Sequence, residues 1–148
     1  MPQGRPSVQL GPTMNVRFIV DADDSAESHT MFEVTLAPDG KLPVPHSHDR
    51  FDETFLATAG TLIVTIEGVD HTLETGDGIC IKRGQVHAFR NETDATVRFV
   101  CVASPGIFGR PYFEELSEAF SSFDDGPPNP AVLGDVMRRH GLSPVASA

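Results

Sequence analysis

Apolar and polar positions alternate in short runs along most of the chain. Val16, Phe18 and Val20 recur at a two-residue period, and Met31-Phe32-Glu33-Val34-Thr35-Leu36 reads as a strand. Further β-rich runs cover residues 54–59, 61–66, 77–81, 86–90 and 96–103. Ala37-Pro38-Asp39-Gly40 and Glu67-Gly68-Val69-Asp70 supply turns between them. Many short strands at close spacing predict an all-β sandwich or barrel over residues 15–104. Residues 1–14, rich in Pro, Gly and polar groups, predict an arm with one short strand around Val8 to Leu10.

The period changes after Ser104-Pro105-Gly106. Phe113, Leu116 and Phe120 share one helical face, Pro111 suits a first turn, and Glu114 and Glu115 suit the positive end of a helix dipole. This predicts a helix from Pro111 to Ser122. Asp124-Asp125-Gly126-Pro127-Pro128 then breaks the pattern. A second helix is predicted with Asn129 as N-cap and Pro130 at its first position. Arg138, Arg139 and His140 before Gly141 close it, with His140 as a C-terminal cation. Gly134 in its middle costs about 1 kcal/mol of helix propensity. Residues 105–148 are therefore expected as helices packed on the barrel, within one domain spanning 1–148.

Composition narrows the partners. The 148 residues include 11 basic and 21 acidic groups, for a formal charge of −10. Such a chain repels phosphate backbones and anionic bilayers, so neither nucleic acid nor membrane is an expected partner. No run is long enough to span a bilayer and Met1 to Val20 lacks an apolar leader, so a cytoplasmic location is expected. Cys80 and Cys101 both sit in apolar runs and are expected as reduced core thiols.

The chemistry concentrates between Gly40 and Asn91. His46 and His48 are two apart, which in a strand puts both imidazoles on one face. Four residues intervene before Glu53, enough for a tight reversal onto a neighbouring strand. His87 offers a fourth ligand from elsewhere in the barrel. Imidazole with carboxylate suits one divalent transition metal ion: Mn, Fe, Ni, Cu or Zn. His71 after a turn is expected to be exposed, and His29 lies in a polar loop.

Gly40, His46, His48, Glu53 and Gly60 match, in every spacing, the first motif of the cupin family, G-x5-H-x-H-x4-E-x6-G. Gly76, Gly84, His87 and Asn91 resemble the second, G-x5-P-x-G-x2-H-x3-N, with Lys82 where the family has proline. That departure loses rigidity before a turn and puts a cation near the barrel mouth. The resemblance implies a double-stranded β-helix, the jelly-roll cupin barrel, with His46, His48, Glu53 and His87 as metal ligands. The stretch from His48 to Glu53 looks like that of single-domain, quercetinase-like cupins. In the flavonol dioxygenase branch this glutamate serves as base as well as ligand, which makes Glu53 the candidate catalytic residue. Related barrels commonly pair, so a homodimer is expected, with Leu56 and Ile63 on its outer surface.

Strand parity extends the site. If Glu53 points inward, so do Phe55 and Ala57; if His87 does, so does Phe89. Phe51 is expected at the pocket entrance, so Phe51, Phe55 and Phe89 are the candidate substrate-pocket residues. Phe108, Tyr112 and Phe113 are placed as a lid or a dimer contact. An apolar pocket with a metal at one end suits a small aromatic or enolisable substrate with oxygen atoms. The first function expected is a metal-dependent oxygenase (a dioxygenase-like oxidoreductase). The alternatives are an isomerase, cyclase or decarboxylase that needs no oxygen, and a non-catalytic binding or sensing module.

Overall fold

The structure, a computed structural model, describes residues 6–42, 44–121 and 129–145. The expected breaker run at Asp124 to Pro128 and the expected last helical residue, Ser122, lie outside them. The alternating runs form strands β1 Ser7–Leu10, β2 Met14–Val20, β3 Thr30–Leu36, β4 His46–His48 and β5 Asp52–Ala59. They continue as β6 Leu62–Ile66, β7 Val69–Leu73, β8 Gly78–Ile81, β9 His87–Arg90 and β10 Val97–Ser104. Helices α1 Arg110–Ser121 and α2 Pro130–Arg139 follow, and the chain returns as β11 Leu142–Pro144. No helix among the described residues is long and apolar enough to cross a membrane.

Two antiparallel sheets face one another, one ordered β1-β2-β3-β10-β5-β8 and the other β11-β4-β9-β6-β7. Every second residue points into the space between them. In β3 these are Thr30, Phe32, Val34 and Leu36; in β10 they are Val97, Phe99, Cys101 and Ala103. Cys101 is accordingly a buried free thiol. Cys80 is not: it lies opposite Thr54 on the outer face of the larger sheet and is exposed. An apolar run in the sequence does not make both faces of an edge strand part of the core. His71 is half-buried rather than exposed, because β7 pairs it with Val64.

The sheets reach past the expected 15–104 boundaries at both ends. β1 forms an edge by pairing Ser7–Leu10 with β2, and β11 pairs with β4 after both helices. The arm thus carries an edge strand, and α1 holds it through the Ser117 hydroxyl, which donates to the Gln9 carbonyl at 2.9 Å. The Asn129 side chain caps α2 by accepting from the Ala131 amide at 2.9 Å. At its other end, His140 lies 2.6 Å from Glu115 of α1, which Arg139 also engages. Leu56 and Ile63 face outward on different sheets, so they do not form one patch.

Two motif residues act on the backbone. A Cβ on Gly40 would lie 2.8 Å from the Ala37 carbonyl oxygen and 2.6 Å from Leu36 Cδ1, so the turn closes only without a side chain. Asn91 is buried and ties that turn to the barrel. Its amide donates to the Leu36 and Ala95 carbonyls at 3.1 and 2.8 Å, and its side-chain oxygen accepts from the Thr93 amide at 2.9 Å. Asn91→Ala leaves these buried partners unmet. We expect it to lower stability by roughly 1–3 kcal/mol. The check is a lower denaturant midpoint at unchanged slope.

Candidate metal centre

β4 and β9 are adjacent and antiparallel, with His46 opposite His87. The two-residue period of β4 turns His48 to the same inner face. One ligand atom from each of His46, His48 and His87 lies within 4.8 Å of the others. Glu53 is outside that triad but close to it, with its carboxylate 3.7 Å from His48 Nε2. It does not arrive on a strand beside β4, as its spacing predicts. The chain crosses between the sheets after His48, and Glu53 enters on β5, opposite Ala103 of β10. The triad and the carboxylate therefore come from facing sheets.

All four side chains are at most 5% exposed. Burial, reinforced by the neighbouring His87, lowers the pKa of His46 to about 3. Burial with the other two histidines lowers His48 to about 2, and burial lowers His87. The imidazoles are neutral at neutral pH, the form that ligates metals. Burial also raises Glu53 to about 8, so the His48–Glu53 contact is not an ion pair in the absence of a cation. A divalent cation reverses this for Glu53, because it stabilises the carboxylate.

The nitrogens of the triad pass the test of fit. Nδ1–H of His46 donates to the Val44 carbonyl at 3.1 Å, and Nδ1–H of His87 donates to Gln85 at the same distance. Each bond fixes the tautomer that leaves Nε2 as a lone pair for a metal. His48 has no such bond: both of its nitrogens are enclosed and without a partner. An unmet buried polar atom is expensive, and a metal ion provides the missing partner.

What orients His48 is a ring stack. Phe51 lies nearly parallel to it, with centroids 4.3 Å apart, and Phe108 packs against both rings, 4.7 Å from Phe51 and 5.6 Å from His48. Phe51 is 1% exposed and is not among the residues that line the cavity beside the triad. Phe55 and Phe89 do line it, together with His46, Glu53 and His87. The loop before His87 is firm without the family's proline. The Lys82 amide donates to the Gln85 side chain at 2.9 Å, and Gly84, at φ +86°, donates its amide to the His48 carbonyl at 2.8 Å. Arg83 clamps the loop to Asp52, whose carboxyl those hydrogen bonds hold below its usual range. Lys82 itself is exposed.

Residues 32–103 match the family model for the cupin domain. The chain carries a cupin domain. Among similar proteins, quercetin 2,3-dioxygenase of Bacillus subtilis is 28% identical over 102 residues, 69% of this chain but 30% of the enzyme's length. A sugar phosphate isomerase from a cupin superfamily, from Silicibacter pomeroyi, superposes with a TM-score of 0.55 at 25% identity. That alignment covers 62% of this chain and 59% of the isomerase. KdgF from Halomonas sp. superposes with a TM-score of 0.62 at 16% identity, over 71% of this chain and 90% of its own.

Other residues complete the space above the centre. Leu10 and Met14 reach the cavity from the N-terminal arm, and Phe108, Tyr112 and Phe113 from the α1 region. The latter three are buried on the barrel, which fits a lid and not a surface contact. The placement of Tyr112 and Leu116 one turn apart signals the inner face of α1. The cavity is small, about 30 Å³, and the buried rings of Phe108, Tyr112 and Phe113 cover it. The lid is therefore closed down on the centre.

His46→Ala and His87→Ala are each expected to abolish stoichiometric metal binding, measured by elemental analysis of the purified protein. Phe51→Leu is expected to keep metal content at saturation but weaken affinity about tenfold by loosening His48, as removal of an orienting partner does. Competition with a chelator reads that difference.

Proposed function

We propose that this cupin is a metal-dependent oxygenase acting on a small aromatic or enolisable compound. The observation that carries the reading is the enclosed imidazole triad with Glu53 at the end of a cavity walled by rings and hydrocarbon. A divalent ion of Mn, Fe, Ni, Cu or Zn held there by His46, His48 and His87, with Glu53 beside them, supplies Lewis-acid chemistry, and a redox-active one also supplies chemistry with dioxygen.

The chain's own groups have separable tasks. The apolar wall, including Phe55 and Phe89, binds a flat organic body and excludes water. Glu53 is the buried carboxylate nearest the triad, placed to take a proton from a substrate hydroxyl as the substrate ionises. Its pKa of about 8 without a cation shows how strongly burial favours its protonated form. In a dioxygenation both oxygen atoms enter the organic product, so the substrate is itself the reductant and no second reductant is needed.

The likeness to a quercetin dioxygenase over 69% of this chain supports oxygen chemistry. The likeness to a sugar phosphate isomerase supports a reaction without oxygen, but among the described residues no Lys or Arg lines this cavity to meet a phosphate. The homodimer is part of the proposal. Its contact is the outer face of the larger sheet, where Leu56 is 44% exposed.

Metal-loaded protein is expected to consume oxygen with one or more of a panel of catechols, flavonols and β-diketones, and His48→Ala to abolish that uptake. Metal-dependent turnover under nitrogen would instead favour the isomerase, cyclase or decarboxylase reading. Binding with no turnover in either atmosphere would leave a sensing module. Light scattering is expected to return twice the 16.0 kDa chain mass, and a monomer mass removes the dimer.

A further inference from the structure

The cavity wall holds few groups that make hydrogen bonds. Outside the metal centre, its polar groups are the Cys101 thiol and the Tyr112 hydroxyl. A thiol is a weak donor; a phenol is a strong one. Tyr112 is 2% exposed and reaches the cavity from α1, the helix that covers the barrel. Its ring is wedged among Phe108, Phe113 and His140, with centroids 5.0, 5.0 and 5.5 Å away, which fixes its plane.

The hydroxyl has no hydrogen-bond partner among the described residues. Nor is it sealed away. Among those residues, only the two His48 nitrogens are both enclosed and unpartnered. The hydroxyl is therefore not fully enclosed, and it belongs to a residue that lines the cavity. Glu53 lines the same cavity. A fixed ring with an unmet donor on an apolar wall leaves a hydrogen bond for a ligand to satisfy.

We propose that Tyr112 is a substrate-positioning residue that donates its hydroxyl hydrogen to a ligand oxygen. It thereby selects compounds with two neighbouring oxygens, such as catechols and α-hydroxyketones, over those with one. One oxygen goes to the histidine triad and the second to Tyr112, while the ring or hydrocarbon body lies against the apolar wall. The inference rests on the reading of the cavity as a site for small oxygen-bearing aromatics. It does not require that oxygen be consumed.

The test titrates full-length, metal-loaded protein under nitrogen with nitrocatechol and, separately, with nitrophenol, following the absorption of each. The wild type is expected to prefer nitrocatechol. Tyr112→Phe is expected to weaken nitrocatechol binding about tenfold and leave nitrophenol binding unchanged, at wild-type metal content and thermal midpoint. Tyr112→Leu, a second variant without the donor, is expected to lose the same preference. A merely structural role would weaken both ligands together. The proposal is overturned if Tyr112→Phe keeps the wild-type preference, if both affinities fall equally, or if the wild type does not bind nitrocatechol. Failure of the oxygenase reading is distinct: the binding preference persists while no oxygen is taken up.

Discussion

Polar ligands enclosed in an apolar barrel need partners, and the barrel interior supplies too few. The backbone satisfies one nitrogen of His46 and one of His87, through the carbonyls of Val44 and Gln85. His48 receives nothing, and Glu53 is held far from its ordinary acidity by burial alone. Each shortfall is a cost of the kind that native interiors rarely tolerate without a function. A metal ion bound there would relieve them together, taking the free imidazole lone pairs and favouring the carboxylate. The surrounding structure follows from keeping those side chains converged. Strand pairing sets the separation of His46 and His87, ring stacking holds His48, and the crossing between sheets brings Glu53 from the other side.

The lid belongs to the same economy of burial. Phe108, Tyr112 and Phe113 cover the open side of the barrel and contact one another as well as Phe32 and Phe18. Phe108 also completes the stack that begins at His48. Phe108, just before α1 and packed on Tyr112 and Phe113, thus puts the cover of the cavity in ring contact with His48, directly and through Phe51. Movement of α1 to admit a ligand would be felt at His48. The clamp between α1 and α2 at Glu115, Arg139 and His140 limits that movement from the outside.

Much of this was legible in the residues. A two-residue period identifies the inward positions Glu53, Phe55 and Ala57, and the histidine spacing translates directly into a shared strand face. Asn129-Pro130 marks a helix start by local chemistry alone, and that start is where α2 begins. The failures have a common physical origin, in that they depend on which sheet a strand joins. Cys80 lies in an apolar run, but β8 is an edge strand with an exposed outer face. Leu56 and Ile63 share outward parity without sharing a surface. Glu53 is near His48 in sequence yet arrives from the facing sheet. Phe51 sits in a loop, where no period applies, and its stacking on His48 is fixed by the tertiary arrangement of Phe108.

The pairing of β11 with β4 has a bearing on how the centre comes into being. Leu142 and Pro144 lie opposite His48 and His46, and the Ser143 hydroxyl donates to Asp49 at 2.8 Å across 94 residues of chain. Until residues 142–144 have left the ribosome, the strand carrying two of the ligands is a bare edge, joined to the sheet only through β9. Bare edges invite mispairing, and long-range pairing is slow. The ligand strand therefore gains its second neighbour only from residues that follow both helices, so the pocket depends on chain outside the two barrel motifs.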